Sequence, residues 1–212
     1  MLKALSKHKV LVSIGIVWLF HISAIIGIAI GELEWFIEKT PINLIISLVL
    51  FLFIYPINSI EKISAFLLFF CGGMCAEWLG VHYGILFGDY KYGDNLGAKL
   101  DGVPYLIGVY WALLTFISAS ILDYTQFQKI TKIILAAGLM VLLDYFMEHN
   151  APVFDFWAFE GGTAPLENYT SWFILAILFQ IIVRILKIKG NKQFSTQLYL
   201  AQLVFFAFFF LY

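Results

Sequence analysis

The chain has 212 residues, of which 62% are hydrophobic and only 13% are charged, and its mean hydropathy is +0.90. A soluble domain is about half apolar and about a quarter charged, so this composition excludes a soluble fold and predicts an integral membrane protein in a lipid bilayer. The net charge of −1 gives no indication of a nucleic acid or an acidic partner.

Seven segments are long and apolar enough to cross a bilayer as helices, which takes about 20 residues each. The predicted spans, in chain order, are 10–31, 41–59, 62–81, 104–122, 130–148, 169–188 and 195–212. The first is longer than the apolar region of a signal peptide and lacks a good cleavage site after it. We therefore predict an all-α bundle of about seven transmembrane helices, forming a single polytopic domain over residues 1–212.

The basic residues predict the orientation of this bundle through the positive-inside rule. A cytoplasmic N-terminus and seven spans place ten basic residues on the cytoplasmic side: Lys3, Lys7, Lys9, Lys62, Lys129, Lys132, Arg184, Lys187, Lys189 and Lys192. Only Lys39, Lys91 and Lys99 then lie on the other side. We expect a multi-pass protein of the cell (inner or plasma) membrane with an extracytoplasmic C-terminus.

Acidic residues near the outer ends of two predicted spans are the strongest functional signal. A carboxylate in hydrocarbon costs at least about 2.5–3.5 kcal/mol, so Glu77 and Asp144 need a cavity or partners. Gly73 and Gly80 share a helix face with Glu77, which predicts close approach by another helix or a flat ligand. Glu148 lies on the same face as Asp144.

Two long extracytoplasmic loops, 82–103 and 149–168, are rich in Gly and aromatic residues. Their aromatic content exceeds that of ordinary solvated loops, and aromatic residues are typical of the membrane interface. We expect the first loop to be a folded re-entrant or interfacial segment and the second to lie on the bilayer surface and cap a pocket.

Several classes of chemistry lack their motifs in this sequence. There are no His boxes for a di-iron centre, no Asp-rich diphosphate motif and no Gly-rich dinucleotide motif. The pair Cys71 and Cys75 has no second pair to complete a zinc site, so we expect buried free thiols. We therefore predict an activity with no metal and no cofactor.

The remaining chemistry is that of carboxyl groups in an aromatic, apolar pocket. A carboxyl removed from water can stay protonated at neutral pH and donate its proton to an alkene. Aromatic faces stabilise the resulting carbocation, and a second carboxylate can position the attacking water. The residues allow this mechanism without selecting it over others.

The order and spacing of motifs over residues 65–175 resemble those of the carotenoid 1,2-hydratase family, which includes γ-carotene 1′,2′-hydratases and bisanhydrobacterioruberin hydratases. The first set comprises Glu77, Gly80, Gly84, Phe87-Gly88, Tyr90, Tyr92, Gly102-Val103-Pro104 and Trp111. The second comprises Asp144, Glu148, Ala151, Asp155-Phe156-Trp157, Pro165-Leu166, Asn168-Tyr169 and Trp172-Phe173. The sequence departs from the family pattern at Asn150-Ala151-Pro152, which bears on the end of the helix and on the role of Glu148, and at Ala158-Phe159.

The resemblance implies addition of water to the terminal C1–C2 double bond of an acyclic (ψ) end group, in an acyclic or monocyclic carotenoid. The expected catalytic residues are Glu77, Asp144, Glu148 and Asn168, with Asp144 or Glu77 as the proton donor and the other orienting water. The expected substrate-binding residues are Gly73, Gly80, Tyr90, Tyr92, Trp111, Asp155, Trp157 and Trp172. Other enzymes of the carotenoid pathway are further candidate partners.

Three alternatives remain open from the sequence. A cofactor-free end-group cyclase or isomerase would share the protonation step and differ in the mass of its product. A carotenoid- or lipid-binding protein would need no chemistry. A small transporter is disfavoured because the chain lacks repeat symmetry and matching broken helices.

Overall fold

The computed structural model describes residues 2–212, with side chains from residue 7 onward. Its helices in chain order are α1 Leu2–Ala29, α2 Leu33–Ile37, α3 Thr40–Ile54, α4 Ile60–Tyr83, α5 Tyr105–Asp123, α6 Lys129–Asn150, α7 Leu166–Ile185 and α8 Lys192–Leu211. With α2 and α3 forming one span over Leu33–Ile54, seven segments among the described residues are long and apolar enough to cross a membrane. The predicted all-α membrane fold is therefore confirmed, while the orientation of the bundle and its single-domain organisation stay predictions.

The second span differs most from its predicted bounds of 41–59. It begins earlier, because α2 precedes α3, and Pro41 lies in the first turn of α3, where its missing N–H costs nothing. It ends at Ile54, since Pro56 cannot continue a helix and disfavours helical geometry in Tyr55. The helix α4 then starts after Ser59, whose hydroxyl accepts a hydrogen bond from the backbone N–H of Lys62 at 3.4 Å.

Helix α5 is the centre of the bundle, and most of its side chains are buried. It packs against α4 on one side and against α6 and α8 on the others. The helices around it, by contrast, expose many large apolar side chains, as expected where lipid is the solvent. Cys71 and Cys75 are among the exposed residues of α4, so the expectation that they are buried was wrong. They lie on the lipid-facing side of that helix, away from its packed face.

One end of the bundle, where α4 and α6 end and α5 and α7 begin, is covered by segments 84–104 and 151–165; we call it the capped end. Strand β1 (Tyr90–Tyr92) from the first segment pairs antiparallel with β4 (Trp157–Phe159) from the second. Strands β2 (Lys99–Leu100) and β3 (Val103–Pro104) form a hairpin whose turn residues Asp101 and Gly102 both have positive φ. The two long loops are thus folded, as predicted, and they are joined to each other by a sheet.

Candidate active site

Antiparallel packing of four helices brings the predicted polar residues to the capped end. Glu77 lies near the end of α4, and Asp144 and Glu148 lie in the last turns of α6. Trp111 and Asn168 lie near the beginnings of α5 and α7. Because neighbouring helices run in opposite directions, positions far apart in the sequence meet at one depth in the bundle.

These residues surround a small cavity of about 20 Å³, which is room for about one water molecule. Nine of the predicted site residues line it: Glu77, Tyr90, Tyr92, Trp111, Asp144, Glu148, Trp157, Asn168 and Trp172. Five further residues that the sequence reasoning did not assign to the site complete the wall: Phe87, Ile107, Tyr110, Met147 and Phe159. The cavity is therefore aromatic on most sides and carries three carboxyl groups.

Glu77 is buried, at 4% exposure, and its carboxyl group is fully hydrogen-bonded. The indole N–H of Trp111 donates to Oε1 at 2.8 Å. The hydroxyls of Tyr90 and Tyr92 donate to Oε2 at 2.5 and 2.6 Å. A carboxylate that receives three donors is held in one orientation and is best satisfied as the anion.

The two tyrosines keep their protons across the physiological range. Burial, together with the neighbouring Glu77 carboxyl, raises the pKa of Tyr90 and that of Tyr92 well above the usual value of 10. Both hydroxyls are therefore permanent donors to Glu77. Their positions follow from strand alternation: Tyr90 and Tyr92 point toward the bundle, whereas Lys91 between them is exposed.

Asp144 and Glu148 share one amide. Asn168 Nδ2 donates to Asp144 Oδ2 at 3.2 Å and to Glu148 Oε1 at 2.9 Å, and the indole N–H of Trp157 donates to Glu148 Oε2 at 2.6 Å. Glu148 thus has a donor on each oxygen. Asp144 is 1% exposed, and its Oδ1 is buried without a hydrogen-bond partner among the described residues.

The departure from the family pattern at residues 150–152 leaves the local geometry of Glu148 intact. Helix α6 continues to Asn150, so Glu148 is still on the helix face of Asp144. The Asn150 amide donates to the backbone oxygens of Phe146 and Phe206 at 2.7 and 2.9 Å, which anchors the end of α6 to α8. Glu148 is buried and lines the cavity.

The aromatic wall is rigid because its rings pack on one another. Trp111 and Trp172 are stacked, with ring centroids 3.7 Å apart and planes at 18°. Phe87 contacts both indoles with centroids at 6.5 Å. The faces of such rings can stabilise a positive charge that develops in the cavity.

Three predicted substrate-binding residues do not line the cavity but support residues that do. A Cβ on Gly73 would lie 2.6 Å from the Trp111 ring, and a Cβ on Gly80 would lie 2.7 Å from the Tyr90 ring. The close approach predicted for these glycines is therefore made by the donors to Glu77. Asp155 accepts a hydrogen bond from the backbone N–H of Asp94 at 2.8 Å and so joins the two covering segments.

The five wall residues that were missed differ in whether the sequence carries a signal for them. Phe159 lies two positions after Trp157, the spacing that places two side chains on one face of a strand. Tyr110 and Met147 lie on buried faces of α5 and α6, and the Tyr110 hydroxyl contacts the Met147 sulfur at 3.2 Å. Nothing local distinguishes these two from ordinary core residues.

The model of a protein family described as "Carotenoid biosynthesis protein" matches residues 40–212. The match begins at the start of α3 and includes every helix and strand that lines the cavity. No significant match was found among curated proteins or among solved structures.

Proposed function

Because the chain belongs to the carotenoid biosynthesis protein family, we propose that it is the enzyme that hydrates an acyclic carotenoid end group. Water adds across the terminal C1–C2 double bond and gives a tertiary alcohol at C1. The observation that carries the proposal is the unpartnered Oδ1 of Asp144 beside a water-sized cavity with aromatic walls.

Asp144 is the proton donor in this proposal. Two carboxyl groups that share one amide donor are too close to be ionised together at little cost. Glu148 has two donors, which favours its anion, whereas Asp144 has one long hydrogen bond and a free oxygen. The proton therefore resides on Asp144, on an oxygen that no other group occupies.

The reaction then takes two steps whose atoms balance. The Asp144 proton bonds to C2, and the alkene electron pair leaves C1 as a tertiary cation beside the Trp111 and Trp172 rings. Water attacks C1, and its released proton passes to Glu148. Glu148 and Asp144 both accept a hydrogen bond from the Asn168 amide, so they lie close together. Transfer of the proton from Glu148 to Asp144 restores the protonated acid for the next cycle.

Glu77 acts in this scheme as a fixed negative charge. Its three donors hold the carboxylate in place and leave it no free oxygen to receive a proton. A preorganised anion close to a developing cation lowers the barrier to forming it. Of the two roles predicted for Glu77 and Asp144, this geometry supports Asp144 as the acid.

An end-group cyclase is the second candidate, because it would use the same protonation. It would exclude water and close a ring by attack of an internal alkene. The small cavity among the carboxyl groups favours hydration, since it has the size and the polar partners of a water site.

The test is expression of the chain in cells that produce lycopene or γ-carotene, in water labelled with ¹⁸O. We expect a product heavier by one labelled water, with the label in a tertiary alcohol. Asp144→Asn should lower its yield by about 10²–10⁴-fold, the usual contribution of a general acid. The exposed Asp101 gives the matched control, Asp101→Asn, which should leave the yield unchanged. A product that is an isomer of the substrate would show that the reaction is cyclisation and not hydration. Pigment that is bound but chemically unchanged would contradict the proposal that the protein is an enzyme.

A further inference from the structure

A second and much larger cavity lies beside the carboxyl cluster. Its volume is about 370 Å³, within the usual range for a small-molecule site. The wall is mostly apolar and comes from α1, α2, α3 and α8, with contributions from α5, α6 and the covering segments. Part of it lies before residue 40, outside the family match.

The two cavities share a partition. Ile107, Tyr110, Met147 and Trp157 line both of them. A group lying against these side chains in the larger cavity is separated from Asp144 and Glu148 by one layer of side chains. The smaller cavity has room for about one water molecule, so a branched alkene in the larger cavity reaches the carboxyl groups only when the side chains of this partition move aside.

A polar position in the larger cavity supports its use by a ligand. The Gln202 side chain lines the cavity, and its buried amide oxygen has no hydrogen-bond partner in the described structure. His21 also lines the cavity and is buried, and its Nδ1 contacts the Val17 carbonyl oxygen at 2.8 Å. Because a carbonyl only accepts, Nδ1 carries the proton and the neutral ring leaves Nε2 as an acceptor. The mostly apolar wall thus contains two buried polar side chains, each with an acceptor atom that no described residue occupies.

We infer that the larger cavity is a binding site for the isoprenoid chain of a carotenoid, holding its end group against the partition in front of the carboxyl cluster. The assignment of that end group as the reacting one rests on the proposed function. A cavity of this volume takes the end of the chain, while the rest of the polyene lies in the bilayer beside α1 and α3. Gln202 and His21 accept a hydrogen bond from water or from a hydroxyl on the bound chain.

Ala24 provides the test, because it lines the cavity, whereas Ile22 on the same helix faces lipid. The purified full chain in nanodiscs is equilibrated with lycopene, and retained pigment is measured by absorption and induced circular dichroism. Ala24→Phe should lower retained lycopene by about tenfold or more, since overpacking costs about 1–3 kcal/mol. Ile22→Phe should retain the wild-type amount, and Asp144→Asn should also bind, which separates binding from chemistry.

A second measurement covers failure of Ala24→Phe to fold. Ala24→Cys, in a background with Cys71→Ser and Cys75→Ser, is treated with N-ethylmaleimide with and without lycopene, and Ile22→Cys is the control. Protection of position 24 alone supports the inference. The inference would be overturned if a folded Ala24→Phe variant retained as much lycopene as the wild type, or if lycopene did not protect the cysteine at position 24 from N-ethylmaleimide. It would also be overturned if phospholipid without lycopene protected that cysteine equally well. If lycopene protects the cysteine at position 24 but the expression experiment yields no labelled alcohol, the proposed hydration is wrong and the binding site is still supported.

Discussion

Replacing Gly73 by alanine tests how the helix packing controls the chemistry of Glu77. The added Cβ would lie 2.6 Å from the Trp111 ring, about 1 Å closer than ordinary van der Waals contact. The Trp111 Cβ, which the α5 backbone holds in place, would also lie 2.7 Å away, so α4 and α5 must move apart at this point. The indole moves with α5, and its 2.8 Å hydrogen bond to Glu77 lengthens or breaks. A hydrogen bond to a charged group contributes about 1.5–3 kcal/mol, which corresponds to a roughly 10- to 150-fold loss of rate if it is expressed in the transition state.

The assay is the yield of hydrated carotenoid per unit of folded protein, with thermal stability measured in parallel. Gly138→Ala is the matched control, because a Cβ at Gly138 meets no atom within 4 Å and alanine favours the helix by about 1 kcal/mol. We expect Gly138→Ala to keep activity and stability and Gly73→Ala to lose activity. Equal activity in the two variants would refute the claim that the Trp111 position limits the reaction.

Three further predictions follow from donors and acceptors in the bundle. Trp157→Phe removes the N–H that donates at 2.6 Å to Glu148. It should lower turnover by about tenfold or more and should also lower the melting temperature, because a buried acceptor loses its donor; full activity would contradict a role for this bond. Arg184→Met leaves the buried carboxylate of Asp123 without its ion-pair partner and should destabilise the fold by about 3–5 kcal/mol, measured as a lower melting temperature, which the added change Asp123→Asn should largely restore. Glu77→Gln should lower the melting temperature, because an amide NH₂ replaces an acceptor of O–H and N–H donors, whereas Asp144→Asn should not lower it; the reverse order would invalidate the assigned roles.

The sequence predicted the spans well because a bilayer imposes a simple requirement. Each span needs about 20 apolar residues, and this signal is read directly from composition. The error at the second span has a local cause, Pro56, which ended the helix before the apolar segment did. The intramembrane carboxyl groups were equally visible, since a charge in hydrocarbon is rare enough to mark a site.

The arrangement around those carboxyl groups could not be predicted from the chain alone. The pairing of β1 with β4 joins two segments that lie on either side of α5 and α6 in the chain. No local pattern specifies which partner such a short strand will have. No sequence pattern indicates that Tyr92, and not another tyrosine, donates to Glu77. The role of Gly73 was equally hidden, because helix spacing predicts a face for close approach without naming the side chain that occupies it.

The three carboxyl groups of the site differ mainly in how many donors reach them. Glu77 has three, Glu148 has two and Asp144 has one, although all are buried in the same small region. A folded protein gains stability by satisfying buried acceptors, and an unsatisfied one costs about 1–3 kcal/mol. Three aromatic side chains donate hydrogen bonds to Glu77, and none among the described residues donates to Asp144 Oδ1. Since aromatic donors are present in the same region, their absence from Asp144 Oδ1 is not explained by a shortage of donors. A group that donates a proton to an incoming alkene requires an oxygen with no other partner. Asp144 Oδ1 meets this requirement beside a cavity with room for about one water molecule, at a cost in stability.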